Sequence, residues 1–275
     1  MKWKRRENQT GLLLYAGIVI LPLLFVLSGC FMGRHEILKN FTEEGTEGYR
    51  LYFLPEYFTL EQFQQVLLDS TEYVKQFWNT VVLWLPGVLG ALMVSLLGGY
   101  ALALEKIPCK KAIFALYLLM TLLPVQILLV PQFVLFFRLD MINSHWPVIL
   151  LITFLPMGTL LVHRFLSKVP IETVESAQLD GANRRQILFR ILLPQIRYGM
   201  AGLTILLSVD VWEMSEQPLV FLQDKELYPL SVTLSEIMQY DVDKMFVCGL
   251  LYMIPMILLY GICSEEFEEF VGSIF

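Results

Sequence analysis

The sequence predicts an all-α membrane protein with six transmembrane helices. Composition, the clustering of apolar residues and the placement of basic residues lead to that class. Of 275 residues, 56% are hydrophobic and 17% charged, against about 45–50% and about 25% in a soluble domain. Gly11–Gly33, Gln76–Leu104, Ala112–Phe137, Met141–Val162 and Met245–Ser264 contain no Asp, Glu, Lys or Arg. Each reaches the roughly 20 residues that a helix needs to cross about 30 Å of hydrocarbon. Helices satisfy their own backbone polar groups in lipid, so a helical bundle is the architecture expected. An ordinary cytosolic enzyme and a peripheral protein with one anchor are excluded.

Tyr198–Val209 is apolar for only 12 residues before Asp210, Glu213 and Glu216. It makes a sixth span if it starts earlier or carries acids near one membrane face. With the N-terminus inside, 13 Lys and Arg lie on the cytoplasmic side and 7 outside. That bias puts both termini in the cytoplasm of a bacterial cell.

Taken in order, residues 1–10 are a basic cytoplasmic N-terminus and 11–33 the first transmembrane helix. Leu27-Ser28-Gly29-Cys30 matches a bacterial lipobox, and cleavage before Cys30 would turn this helix into a lipid anchor. The competing reading is a retained helix, favoured because the apolar segment exceeds the 7–15 residues usual in a signal peptide. Residues 34–75 form an extracytoplasmic loop. Within it Thr59-Leu60-Glu61-Gln62 fits a capping box, and Leu60, Phe63, Val66 and Leu67 fit an amphipathic surface helix. Residues 76–264 form the transmembrane core, which contains a long cytoplasmic loop at 163–197. Residues 265–275 are an acidic cytoplasmic tail, a solvated negative helix end. No internal repeat or linker divides the chain, which reads as one domain.

The loop at 163–197 carries the chemistry of interest. Val169–Gly181 reads as a short helix with Pro170 at its first position, where a missing N–H costs nothing. Glu172 and Glu175 complement the positive end of its dipole. Gly181 can take the left-handed conformation that ends a helix. A second helix, Asn183–Leu193, carries Arg184, Arg185 and Arg190 and stops at Pro194. Ser176 and Ala177 are small enough for this helix to enter a groove on a partner. A plain amphipathic loop on anionic lipid is the alternative from spacing alone.

Glu175-Ser176-Ala177, three residues, Gly181, nine residues, then Ile191-Leu192-Leu193-Pro194 resembles the EAA motif of binding-protein-dependent ABC importer permeases. Ser for the middle Ala is the one departure. Asp180-Gly181-Ala182 is similar to the carbohydrate-uptake, maltose-type branch. Phe58-Thr59-Leu60-Glu61, Asn79-Thr80, Ser95, Tyr100-Ala101-Leu102-Ala103, Trp212 and Pro218-Leu219-Val220 add to the resemblance.

The resemblance implies a type I importer permease with a coupling helix. Glu175, Ser176, Ala177, Asp180 and Gly181 would meet a cytoplasmic ATPase subunit, while Ile191, Leu193 and Pro194 fix the return into the membrane. The implied partners are an ATPase dimer, a second permease subunit, an extracytoplasmic solute-binding protein and membrane lipid. No cofactor is expected on this chain, since it lacks a GxxxxGK[ST] phosphate loop; ATP and Mg²⁺ would be used by the partner ATPase. The implied function is ATP-driven import of a sugar or oligosaccharide. Import of a polyol or phosphodiester, and a non-transporting membrane scaffold, are the alternatives.

The family's Asn after the fifth-span Trp is Glu213 here. An acid within a bundle costs about 2.5–3.5 kcal/mol, so it faces a cavity. Asp210, Trp212 and Glu213 are therefore candidates for the solute pathway, although Glu213 and Glu216 could instead lie solvated among outer headgroups. Trp84 and Tyr100 are possible sugar-stacking aromatics, whereas Trp146 suits an interfacial belt. A net charge of -6 without a basic stripe excludes nucleic acid. Four cysteines and three scattered histidines show no metal-ligand spacing, so neither a metal site nor a catalytic cluster is expected.

Overall fold

The computed structural model describes residues 2–41 and 53–274, so the middle of the expected outer loop lies outside the described residues. No strand occurs among the described residues. They fall into two compact units, Met1–Gln76 with Thr233–Pro255 and Phe77–Val232 with Met256–Phe275.

The first unit begins with α1 (Lys2–Gly29), one continuous helix that includes the residues expected as a separate N-terminus. Its last carbonyls are capped from a distance. Gln62, buried on α3 (Glu61–Gln64), donates its amide to Gly29 O at 2.9 Å and to Met32 O at 2.7 Å. Helix ends leave carbonyls without helical partners; Gly29 O accepts from Met32 N as well, and Gln62 ties the helix end to the turn after it. The expected capping box at Thr59 is consequently absent, because Gln62 points inward. Thr59 Oγ1 accepts instead from Glu61 N at 3.2 Å, and Leu60 occupies the N-cap without a side-chain bond. Following α2 (Arg34–Phe41), a π-turn (Gln65–Asp69) leads into α4 (Thr71–Leu104). Arg34 pairs with Asp243 at 3.2 Å, holding α2 beside the 3₁₀ turn Val242–Lys244.

In the second unit α4 packs on α7 (Trp146–Thr153) and α8 (Pro156–Leu166) through small residues. Gly99 is required by closeness: a Cβ there would lie 2.6 Å from Val162 and 2.9 Å from the backbone nitrogen of His163. Gly158 likewise faces Ser95 with no room for a side chain. In lipid, helices associate by close van der Waals contact, and small residues permit it. Ala91, Ile152, Val162, Leu166, Leu203 and Phe221 lie in the core these helices build.

Three helical segments are long and apolar enough to cross a membrane without a sharp bend: Thr71–Leu104, Trp146–Leu166 through the short break before Pro156, and Val242–Ile262. Two more are bent pairs. α5 (Lys110–Leu122) and α6 (Val125–Arg138) meet at 103°, where one straight span over Ala112–Phe137 was expected. Pro124 causes the turn, because proline disfavours a helical residue before it, and Leu123 is extended at φ -72°, ψ 129°. The other bent pair precedes α12 (Arg197–Trp212), and Leu14–Gly29 is a shorter apolar helix. α12 does carry Asp210 in its last turn and ends at Glu213.

After α13 (Glu216–Phe221), α14 (Leu230–Tyr240) and α15 (Met245–Ile262), the acidic end forms α16 (Ser264–Ile274). It packs along α12, with the Phe267 ring 5.8 Å from Tyr260 of α15, while Glu265, Glu268 and Glu269 stay exposed.

Replacing Gly99 by Ala is expected to destabilise the protein by about 1–3 kcal/mol through overpacking. Gly249→Ala, where nothing lies within 4 Å, serves as the control. Thermal unfolding in mild detergent checks this; equal midpoints for the two variants would contradict the close packing.

Candidate functional site

Local rules build the knob between α8 and α12. α9 (Ile171–Leu179) starts one residue later than expected, with Pro170 as its N-cap rather than its first residue. It closes through two backbone bonds, Ala182 N to Ala177 O at 3.0 Å and Gly181 N to Gln178 O at 3.1 Å. That pairing needs a left-handed residue between, and Gly181 sits at φ +82°. Asn183 then caps the next helix. Its Oδ1 accepts from Gln186 N at 2.9 Å, and the Gln186 side chain accepts from Asn183 N at 2.8 Å. Such a cap contributes about 0.5–2 kcal/mol.

Arg184–Gln195 is continuous through α10 (Arg184–Gln186), a π-turn (Ile187–Leu192) and α11 (Leu193–Gln195). The expected stop at Pro194 is therefore displaced. The ladder widens to π spacing just before the residue that lacks an N–H, and the chain turns by 80° only at Ile196.

Faces within the knob are set by the core. Val174 and Ala177 are buried with Leu166, Ile187, Leu188 and Leu192, and burying a side chain such as Val174 stabilises by about 1.5–3 kcal/mol. Ala177, expected beside Ser176 on an outward small face, thus points into its own protein. Glu175, Ser176, Asp180 and Gly181 are exposed, as is Pro194, while Ile191 and Leu193 are half-buried. Leu179 is 89% exposed at the tip. Sequence reading missed it, although a leucine just before an Asp-Gly turn was visible as an apolar residue with no helical partner.

At the far end of α12, Trp212 is 2% exposed, its ring edge-on to Phe77 at 6.0 Å and to Trp84 at 6.1 Å. Asp210 and Glu213 are exposed on the other side of this helix. Three residues on, Glu216 accepts from Gln126 Nε2 at 2.9 and 3.1 Å.

The chain beyond α13 is strapped by polar side chains, none of which was singled out for that role. Asn143 Oδ1 accepts from Gln223 N and Asp224 N, both at 2.9 Å. Asn79 Nδ2 donates to Glu226 O at 2.7 Å and Tyr228 O at 3.1 Å. Thr80 Oγ1 accepts from Leu230 N at 2.8 Å, and His145 Nε2 lies 3.1 Å from Leu227 O.

A family model described as binding-protein-dependent transport system inner membrane component matches residues 87–265. The chain belongs to that family. The match takes in the whole knob, α12 and the strapped segment. Relatives of this inner-membrane component include the arabinooligosaccharides transport system permease of Halalkalibacterium halodurans, 26% identical over 91% of this chain and 88% of the relative. The diacetylchitobiose uptake system permease of Streptomyces coelicolor is 25% identical over 95% of this chain and 85% of its own length. In fold, the chain resembles a crystal structure of a bacterial ABC transporter involved in import of the acidic polysaccharide alginate. The TM-score is 0.79 at 19% identity, covering 97% of both chains.

Within this inner-membrane component, Glu175 to Pro194 gather into one knob, whereas Asp210, Trp212 and Glu213 cluster at the opposite end of α12. Sixteen residues separate the ends of that helix, about 24 Å at 1.5 Å per residue. Cys30 is fully buried, its Sγ donating to Val26 O at 3.2 Å.

Removing one strap should loosen the segment it holds. Asn143→Ala is expected to speed hydrogen exchange at the amides of Gln223 and Asp224 about tenfold or more, as two bonds of about 0.5–1.5 kcal/mol each are lost. Mass-resolved exchange reads this; unchanged rates would show that the straps are not what holds the segment.

Proposed function

We propose that this chain is a permease subunit of an ATP-driven importer of a sugar or oligosaccharide. It is a multi-pass protein of the bacterial inner membrane with both termini cytoplasmic. It works with a second permease subunit, an ATPase dimer and an extracytoplasmic solute-binding protein. ATP and Mg²⁺ belong to the ATPase partner, and this chain supplies the path and the coupling surface.

The observation that carries this reading is the knob: rooted inward by Val174 and Ala177, and exposed at Glu175, Ser176, Leu179, Asp180 and Gly181. A rigid base with an exposed apolar tip suits a surface that docks in a cleft and transmits movement. Ile191, Leu193 and Pro194 carry that movement to the bend before α12. ATP binding favours one of two conformations by differential contact, and the permease follows. At the other end of α12, Asp210 and Glu213 line the solute path while Trp212 fixes the helix that presents them. The carbohydrate solutes named for the arabinooligosaccharide and diacetylchitobiose relatives support a sugar over a scaffold role.

Two measurements test the reading. The tagged chain, purified from native membranes, is expected to bring an ATPase and a second permease with it. Reconstituted with its binding protein, the complex is expected to accumulate a labelled arabinooligosaccharide or chitobiose-type disaccharide only with ATP. A chain that purifies alone would reject the proposal.

Leu179→Asp is expected to leave folding within about 0.5 kcal/mol, since the site is solvent-exposed. It should weaken ATPase association about tenfold or more, as burial of a leucine contributes about 1.5–3 kcal/mol. Titrating the ATPase onto immobilised permease reads the shift; unaltered affinity would remove Leu179 from the docking face.

A further inference from the structure

A cross-element ion pair ties the knob to the long helix α4. Arg184 Nη1 lies 3.2 Å from Glu105 Oε1, with the Glu105 side chain 28% exposed and Arg184 78% exposed. The residues are 79 positions apart in sequence, so no local spacing brings them together. Each charge stands at the wrong end of its own helix. Glu105 follows Leu104, the last residue of α4, where the free carbonyls make the helix end negative. Arg184 is the first residue of Arg184–Gln195, where the free N–H groups make the end positive. Lys110 relieves the α4 end separately, donating Nζ to Ala103 O at 3.0 Å. Neither Glu105 nor Arg184 is favoured by its own element, and each gains from the other.

We propose that Glu105 and Arg184 form a clasp that carries displacement of the 171–195 knob into α4, making them positioning residues for coupling. The inference rests on the permease reading above. A solvent-facing pair of this kind contributes little to folding, so its value lies in direction: while the 3.2 Å contact holds, a shift of the knob at Arg184 pulls the turn that begins at Glu105. That turn, Glu105 to Lys110, would move with it. Cys109, exposed in this turn, offers a place to detect the movement.

The test uses the full complex in liposomes with an environment-sensitive maleimide dye on Cys109, in a Cys263→Ser background; Cys30 and Cys248 are buried. Emission is compared without nucleotide and with Mg-ATP plus vanadate, and ATP hydrolysis is measured in parallel on unlabelled complex. Wild type is expected to show a nucleotide-dependent shift. Glu105→Arg and Arg184→Glu should each lose at least half of it, with complex yield unchanged. The double swap, Glu105→Arg with Arg184→Glu, should restore it. Full shifts in the single variants, or a double swap as weak as either single, would overturn the clasp. So would a wild-type complex that hydrolyses ATP without any shift at Cys109. Failure to recover an ATPase at all would instead strike the permease reading itself.

Discussion

A backbone nitrogen without a hydrogen shapes this protein more than any side-chain contact. Hydrocarbon offers no water to an unpaired carbonyl, so each proline in an apolar helix must be absorbed or made into a turn. Pro22, Pro86, Pro131 and Pro255 lie inside continuous helices. Pro124 and Pro156 follow extended residues, Leu123 and Leu155, and end the helices before them. Pro194 is handled in a third way, with a π-turn ahead of it and a bend one residue beyond. That last case places the knob and α12 at 80° to each other. The knob projects from the bundle because the helix could not continue straight.

The knob itself meets two requirements that usually conflict: a base fixed in the core and a tip left exposed. Val174, Ala177, Ile187 and Leu188 meet the first by joining the same core as Val162 and Leu166. Gly181 and the Asn183–Gln186 cap meet the second by closing one helix and opening the next within three residues, so that Leu179 and Asp180 remain at the corner. Short capped helices hold their shape through local bonds and do not need to bury their tips.

At the other end of α12, rigidity comes from polar straps. Asn79, Thr80 and Asn143 satisfy backbone groups of an irregular segment that regular structure would otherwise have to pair. This arrangement keeps the chain beyond Glu213 and Glu216 in place while those carboxylates stay accessible. Trp212, wedged against Phe77 and Trp84, anchors the helix that carries them.

Features governed by neighbours within four or five residues were legible in the sequence. The apolar runs, the helix at 171–179, its glycine stop and the basic second helix all follow from local hydrogen bonding and backbone sterics. Local rules also misled where a distant group competed: Gln62, drawn to the end of α1, gave up the capping box at Thr59. Only tertiary structure decided which side of α9 faces inward, because a nine-residue helix of mixed polarity has no dominant apolar stripe. It also decided the docking of α16 and the meeting of Glu105 with Arg184. Those depend on contacts between residues far apart in the chain, for which sequence spacing carries no signal; the amino acids set what each segment could do alone, and packing chose among those options.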